Sequence, residues 1–210
     1  MYRDRRKYMK LNLFEYCMMN NPLRAFIQTK YEFPILQRMV QTKNLKKVLE
    51  IGCGNGHGTT LIKKLFNPEH IVAIDLDERM INKAVKRELS NVTFKVMDAS
   101  KLDFEDNEFD AVFDFGIIHH IPNWKDCIFE LKRVLKNNSE IILEDLSKDT
   151  FNTIFGKFLK VISDHPYADM YSTDEFIHCL KRSGFKLLHY KESYPLKTIK
   201  FFSLSAVANK

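Results

Sequence analysis

Hydrophobic and polar positions change period sharply around residue 52. Val48-Leu49-Glu50-Ile51 is a short apolar run with a β-branched residue at each end. Gly52-Cys53-Gly54-Asn55-Gly56 then alternates glycine with other residues, and Thr59 to Leu65 continues in a helical pattern. The succession predicts a buried strand, a tight turn and a helix. Similar apolar runs follow at 71–75, 91–97, 109–115 and 140–145, with helix-period stretches at 77–85 and 124–135 between them. Ser172-Thr173-Asp174-Glu175 is a capping box that opens a helix ended by Gly184, and 185–190 and 199–207 close the chain as two strands. Strands alternating with helices predict an α/β architecture with helices on both faces of a mostly parallel sheet.

Two stretches stand outside this alternation. In residues 1–44 an apolar pattern over Leu11, Leu13, Phe14, Cys17 and Met18 precedes Asn21-Pro22, a cap and first helical residue. Leu23, Phe26, Ile27 and Tyr31 share one helical face until Pro34, which interrupts and restarts the helix with Ile35, Leu36, Met39 and Val40 on its apolar side. A helical N-terminal extension over 1–44, packed on a domain at 45–210 and able to cover its active site, is the expectation. The second stretch is an insertion at about 148–171. Phe151, Ile154, Phe155, Phe158, Leu159 and Ile162 recur there with helical spacing, ahead of a polar and aromatic loop through His165 and Tyr167. The stripe can line an acceptor pocket, touch a membrane or pack on the N-terminal extension; packing is the favoured reading.

The glycine turn carries the chemistry. Backbone that approaches a ligand closely needs φ > 0 and no Cβ, and the following helix points free N–H groups at the same place. A dinucleotide fingerprint beginning at Gly52 would put glycine at position 57, where this chain has His57. The pattern present, Glu50-x-Gly52-x-Gly54-x-Gly56, resembles the first motif of class I S-adenosylmethionine-dependent methyltransferases. Further along, Asp75 ends the second strand, where a carboxylate can accept hydrogen bonds from ribose hydroxyls. Asp77 is assigned instead to capping the next helix. Asp98-Ala99 ends the third strand. His119-His120 follows the fourth in Phe115-Gly116-Ile117-Ile118-His119-His120, which is similar to the strand-four motif of the small-molecule-type subfamily. The turn Lys136-Asn137-Asn138-Ser139 departs from the family's usual Lys-Pro-Gly-Gly, but asparagine tolerates the left-handed backbone such a turn needs.

The resemblance covers about residues 45–207. It implies a Rossmann-like seven-stranded sheet, mostly parallel with the last strand antiparallel, and S-adenosylmethionine as cofactor, released as S-adenosylhomocysteine. It implies cofactor contacts from Glu50, Gly52, Cys53, Gly54, Asn55, Gly56, Asp75, Leu76, Met80, Asp98, Ala99 and Phe115. His119 and His120 are the first choices for a general base, with His165, Tyr167 and Asp145 second, because imidazole accepts a proton near neutral pH. Bracing of the loop by either histidine is the alternative.

Composition adds two things. The net charge of +6 sits at one end: residues 1–47 hold 11 Lys and Arg against 3 Asp and Glu, leaving 22 against 24 for the rest. A basic segment of this kind is a solvated surface or attracts nucleic acid, an anionic membrane or an anionic substrate. The four cysteines, Cys17, Cys53, Cys127 and Cys179, form no C-x-x-C pair and read as reduced thiols, with no zinc site. No run is long enough to span a membrane and no signal-peptide core follows the basic N-terminus, so a cytoplasmic location is expected. The acceptor favoured is a small or lipophilic metabolite bearing an O, N or C nucleophile. An RNA or protein acceptor recruited by the basic segment, and a non-catalytic cofactor-binding subunit, are the alternatives. Against methylation of a base amino group, Asp114-Phe115-Gly116-Ile117 lacks the Asn/Asp-Pro-Pro-Tyr/Phe sequence typical of those enzymes at this strand.

Overall fold

The structure is a computed structural model that describes residues 12–162, 166–194 and 199–209. Seven strands form one sheet: β1 (Lys47–Ile51), β2 (His70–Asp75), β3 (Val92–Val96), β4 (Phe109–Phe115), β5 (Leu135–Asp145), β6 (Phe185–Ser193) and β7 (Phe201–Ala208), in the order β3-β2-β1-β4-β5-β7-β6. Only β7 runs against its neighbours, β5 and β6, so the expected Rossmann-like sheet with an antiparallel last strand is present. The order reverses between β1 and β4. The connections that leave their carboxyl ends therefore run to opposite faces and leave the crevice in which open α/β sheets bind ligands.

Strand residues alternate between two cores because successive side chains point to opposite faces. On one face Leu49, Val72, Val112 and Ile141 pack with α6 (Trp124–Val134) and α8 (Thr173–Arg182). On the other, Val48, Ile71, Phe113 and Ile142 pack with α3 (Phe33–Met39), α4 (His57–Phe66) and α5 (Glu78–Ala84). Helix α6 buries Trp124, Cys127, Ile128, Leu131 and Val134, a gross contribution on the order of 10 kcal/mol. The link from β3 to β4 is held to α6 by Arg133, which donates to the carbonyls of Leu102 and Phe104 and to Asp106 and Glu130 at 2.7–2.9 Å.

Where local expectations differ from the structure, the reasons are physical. Pro34 does not break the N-terminal helix. Helices α1 (Leu13–Met19) and α2 (Pro22–Ile27) are followed by a wide π turn, Gln28–Glu32, that runs straight into α3. The Phe33 N–H reaches back five residues to the Gln28 carbonyl, so the wide turn absorbs the missing donor and the bulk of the proline. Leu23, Phe26, Ile27 and Tyr31 share a face as expected, but that face is exposed, while Gln28 and Glu32 are buried. Phe158 on α7 (Ile154–Ile162) is likewise exposed, whereas Phe151 ahead of it is buried. Strand β5 starts at Leu135, five residues before the expected start, because Leu135 pairs with Phe109. The ladder then shifts register before Ala111 meets Glu140. Asn138 takes a φ of 60° in that irregularity, as its side chain allows.

Candidate functional site

The turn after β1 is built around glycines that cannot be replaced cheaply. Gly52 has φ 61°, and a Cβ there would run into the Ile117 side chain. Gly58, in the first turn of α4, lies so close to Glu50 and the Phe115 ring that a Cβ would stand 2.9 Å from the ring. The turn is drawn to β2 by Asp75, whose carboxylate accepts from the Gly54 N–H at 2.9 Å and from the Asp77 N–H at 2.8 Å. Asp77 itself caps α5 by accepting from Arg79 N at 3.0 Å, as its position predicts.

A small recess of about 30 Å³ lies over this turn, narrowed by the N-terminal helices that line it. Glu50, Gly52, Cys53, Gly54, Asn55, Met80 and Phe115 line it, so seven of the twelve expected cofactor residues meet there. Asp75 joins them through Gly54. Gly56 takes a left-handed φ of 77° at the start of α4. Asp98 and Ala99 are not among the residues lining the recess. Asp98 closes its own loop by accepting from the Ser100 N–H and hydroxyl, and Ala99 is buried in the α6-side core. Leu76 is half-buried between Asp75 and Asp77.

The sequence led us to expect an N-terminal extension able to cover the site, but it did not name the residues that do so. Met19, Arg24, Ala25 and Gln28 cover it from the N-terminal helices. Asn55 Nδ2 donates to the Met19 carbonyl and the Asn20 side chain, both at 3.3 Å, and His57 Nε2 lies 2.9 Å from Thr29 Oγ1 and 3.1 Å from the Ala25 carbonyl. The Tyr16 ring takes the Arg79 and Lys83 cations on α5 at 4.9 and 4.7 Å. The only hint in the sequence was the helical character of this segment, because which polar residues face inward depends on how the helix is rolled.

Burial sets the electrostatics. The Glu50 carboxyl is pushed up to about 8, chiefly by burial, with the Thr59 hydroxyl donating to it as a smaller opposing effect. Asp75 is pushed up to about 6, again chiefly by burial and against its backbone hydrogen bonds. Burial also raises the Cys53 thiol and lowers His57. Glu50 is therefore mostly neutral near pH 7.

A second cluster sits at the carboxyl ends of β4 and β5. His119 and His120 lie in a short 3-10 turn, Ile118–His120, both buried, with ring centroids 4.2 Å apart. His119 Nδ1 is hydrogen-bonded to Asp145 Oδ1, and the His119 N–H donates to Asp145 Oδ2 at 3.1 Å. The Tyr171 hydroxyl donates to Asp145 Oδ2 at 2.6 Å, and Leu146 N to Oδ1 at 2.7 Å. A carboxylate only accepts, so the proton of a neutral imidazole is placed on Nδ1 and the lone pair on Nε2. Tyr171 was missed as part of this arrangement. Beside it, Asp114 is fully buried, pushed well up by burial and then by Asp145, and its Oδ2 has no hydrogen-bond partner. Of the second-choice bases, Asp145 belongs to this cluster, Tyr167 packs edge-on against Phe151 at 5.0 Å, and His165 lies outside the described residues. Among the described residues no group of three or more His, Cys, Asp or Glu could hold a metal ion.

A methyltransferase domain model matches residues 42–187, which include the glycine turn, Asp75, Asp98 and the histidine pair. The chain belongs to the methyltransferase domain family. It is similar to phosphoethanolamine N-methyltransferase 1 of Arabidopsis thaliana, 29% identical over 75% of this chain and 37% of the relative. It is also similar to sterol 24-C-methyltransferase ERG6B of Gibberella zeae, 30% identical over 70% of this chain and 41% of the relative. The chain thus spans less than half of either relative. A Haemonchus contortus phosphoethanolamine N-methyltransferase solved with phosphomonomethylethanolamine and S-adenosylhomocysteine superposes with a TM-score of 0.71, at 19% identity, over 85% of this chain and 52% of that one.

The family's cofactor is S-adenosylmethionine, and the residues present fit it. Gly52 and Gly58 line the recess at positions where a Cβ would collide with Ile117 or with Glu50 and Phe115, so the backbone itself forms its wall. Asp75 has backbone partners for two of its roughly four acceptor sites, which leaves capacity for hydroxyl donors. Among the described residues no helix is long and apolar enough to cross a membrane.

Proposed function

We propose that this protein transfers a methyl group from S-adenosylmethionine to an oxygen, nitrogen or carbon nucleophile of a small or lipid-like metabolite. The observation that carries the reading is the Asp145–His119 pair at the carboxyl ends of β4 and β5, on the same strand-end edge of the sheet as the glycine turn after β1, where α/β sheets bind ligands. When bound, the cofactor supplies an electrophilic methyl on a sulfonium that leaves as a neutral thioether. In this reading Glu50, Gly52, Cys53, Gly54, Asn55, Gly56 and Phe115 shape the methionine end of the pocket. Asp75 accepts from the ribose, while Leu76, Met80, Asp98 and Ala99 surround the adenine.

Asp145 keeps the His119 proton on Nδ1 and fixes the ring, and Tyr171 keeps Asp145 in place. His119 Nε2 receives the proton that the acceptor atom loses, and the resulting imidazolium is stabilised by the Asp145 carboxylate. His120, ring against ring with His119, helps position the acceptor. Much of the rate comes from holding the acceptor in line with the methyl carbon. Phosphoethanolamine and sterol, the acceptors in the names of the two relatives, favour a small or lipid-like molecule here. The test is turnover on a panel of amine, carboxylate and lipid acceptors with the parent and a His119→Ala/His120→Ala variant. A drop in kcat of about 100-fold or more with cofactor affinity kept is expected. Unchanged turnover would remove the base.

A further inference from the structure

The first part of the helical run, residues 22–32, is amphipathic in the reverse sense, whereas Phe33, Leu36 and Met39 after it are buried. Its polar residues Arg24 and Gln28 face the recess, and Arg24 Nη1 is paired with Glu32 at 2.6 Å. Gln28 and Glu32 are each 8% exposed. Its apolar residues point out: Leu23 is 62% exposed, Phe26 52%, Ile27 37% and Tyr31 61%. With Lys30 these fall at positions i, i+3, i+4, i+7 and i+8, one continuous stripe.

Charge on this segment is sorted as well. Within residues 12–47 the only acids are Glu15 and Glu32, and both are buried. Lys30, Arg38, Lys43 and Lys46 are exposed. The sequence ahead of it adds Arg3, Arg5, Arg6, Lys7 and Lys10 against Asp4. An outer surface of aliphatic and aromatic side chains edged by cations, with its acids turned inward, is complementary to one environment in both respects: hydrocarbon below, anionic headgroups above. A nucleic acid would match the cations but not Leu23 and Ile27.

We infer that residues 22–32 are a membrane-docking element that lays Leu23, Phe26, Ile27 and Tyr31 into the interface of an anionic lipid bilayer. The same helix roofs the recess, so docking brings the recess to within about one helix diameter, ~10 Å, of the lipid surface. An acceptor carried in the bilayer then has a short path to the site. This use rests on the lipid-like branch of the proposed function, whereas the docking itself does not.

The experiment is sedimentation of the full chain with phosphatidylcholine vesicles and with mixed phosphatidylcholine/phosphatidylglycerol vesicles, at low and high salt. The parent is compared with Leu23→Ser/Phe26→Ser and with Lys30→Glu/Arg38→Glu. Calorimetry with S-adenosylhomocysteine and light scattering are run alongside on all three. Expected are binding to the mixed vesicles that weakens with salt, a partition coefficient at least about tenfold lower for each variant, and a monomer in every case. Three results would overturn the inference: no sedimentation of the parent with either vesicle, variants that sediment like the parent, or a parent dimer that Leu23→Ser/Phe26→Ser converts to monomer without changing vesicle binding. If the serine variant fails to fold, the exposed charge-reversal variant carries the same comparison. Loss of cofactor binding by the parent would sink the proposed function and leave the vesicle result standing.

Discussion

Glu50 is where the site's electrostatics can be measured without knowing the acceptor. Its carboxyl is fully buried, and burial pushes it from 4.5 up to about 8. Between those values the folded protein keeps the proton and the unfolded chain does not. Stability therefore falls as pH rises, by about 1.4 kcal/mol per pH unit. Integrated from low pH, this amounts to about 1 kcal/mol at pH 5 and about 4 kcal/mol at pH 8. Other raised carboxyls, Asp75, Asp114 and Glu144 among them, slope the same way, so the parent alone cannot isolate Glu50. Glu50→Gln can: the amide cannot ionise, and its carbonyl can still accept from Thr59. Urea unfolding of both proteins at pH 5 and pH 8 should show the variant gaining on the parent by about 3 kcal/mol between the two. Parallel pH profiles would refute the burial argument. The same substitution should weaken cofactor binding about tenfold or more, because a cationic amino group and sulfonium draw the ionised form of Glu50.

Three further outcomes follow from named contacts. Asp145→Asn should leave S-adenosylhomocysteine affinity within about twofold, yet lower kcat by about 100-fold, since an amide no longer selects the Nδ1–H tautomer; a shift in KM alone would contradict the role given to it. Gly52→Ala should cost about 2 kcal/mol or more in urea unfolding, through the positive φ and the clash with Ile117. Arg133→Met should cost about 1–3 kcal/mol and speed amide exchange in residues 102–106, because it releases two carbonyls and two carboxylates at once.

The sheet was legible because its central strands are apolar runs and residues with a local job flank the strands: Asp75 at the end of β2, Asn67 with φ 44° before β2, and Gly184 with φ 84° before β6. Such signals depend on neighbours in sequence. That the N-terminal helices could cover the site was legible, but the side they turn to it was not, because a helix with apolar residues on one side and Arg24, Gln28 and Glu32 on the other is read as burying the apolar side. Here the recess lies beneath it, and the polar side goes in. Tyr171 was hidden for a related reason. Its hydroxyl reaches Asp145 from 26 residues away, and only the fold sets that distance. Asp98 and Ala99 were placed by analogy with the family. They follow β3, with Asp98 accepting from Ser100 and Ala99 buried, outside the residues lining the recess, and their contact with the adenine belongs to the proposal.

The central claim is that the Gly52–Gly56 turn and Asp75 form an S-adenosylmethionine site, and calorimetric titration tests it most directly. S-adenosylmethionine and S-adenosylhomocysteine should both bind the parent at a single site. Asp75→Ala, which removes the ribose acceptor and frees the Gly54 N–H, should weaken both by about 100-fold. Absence of binding by the parent to either compound, or an Asp75→Ala variant that binds like the parent, would contradict the account.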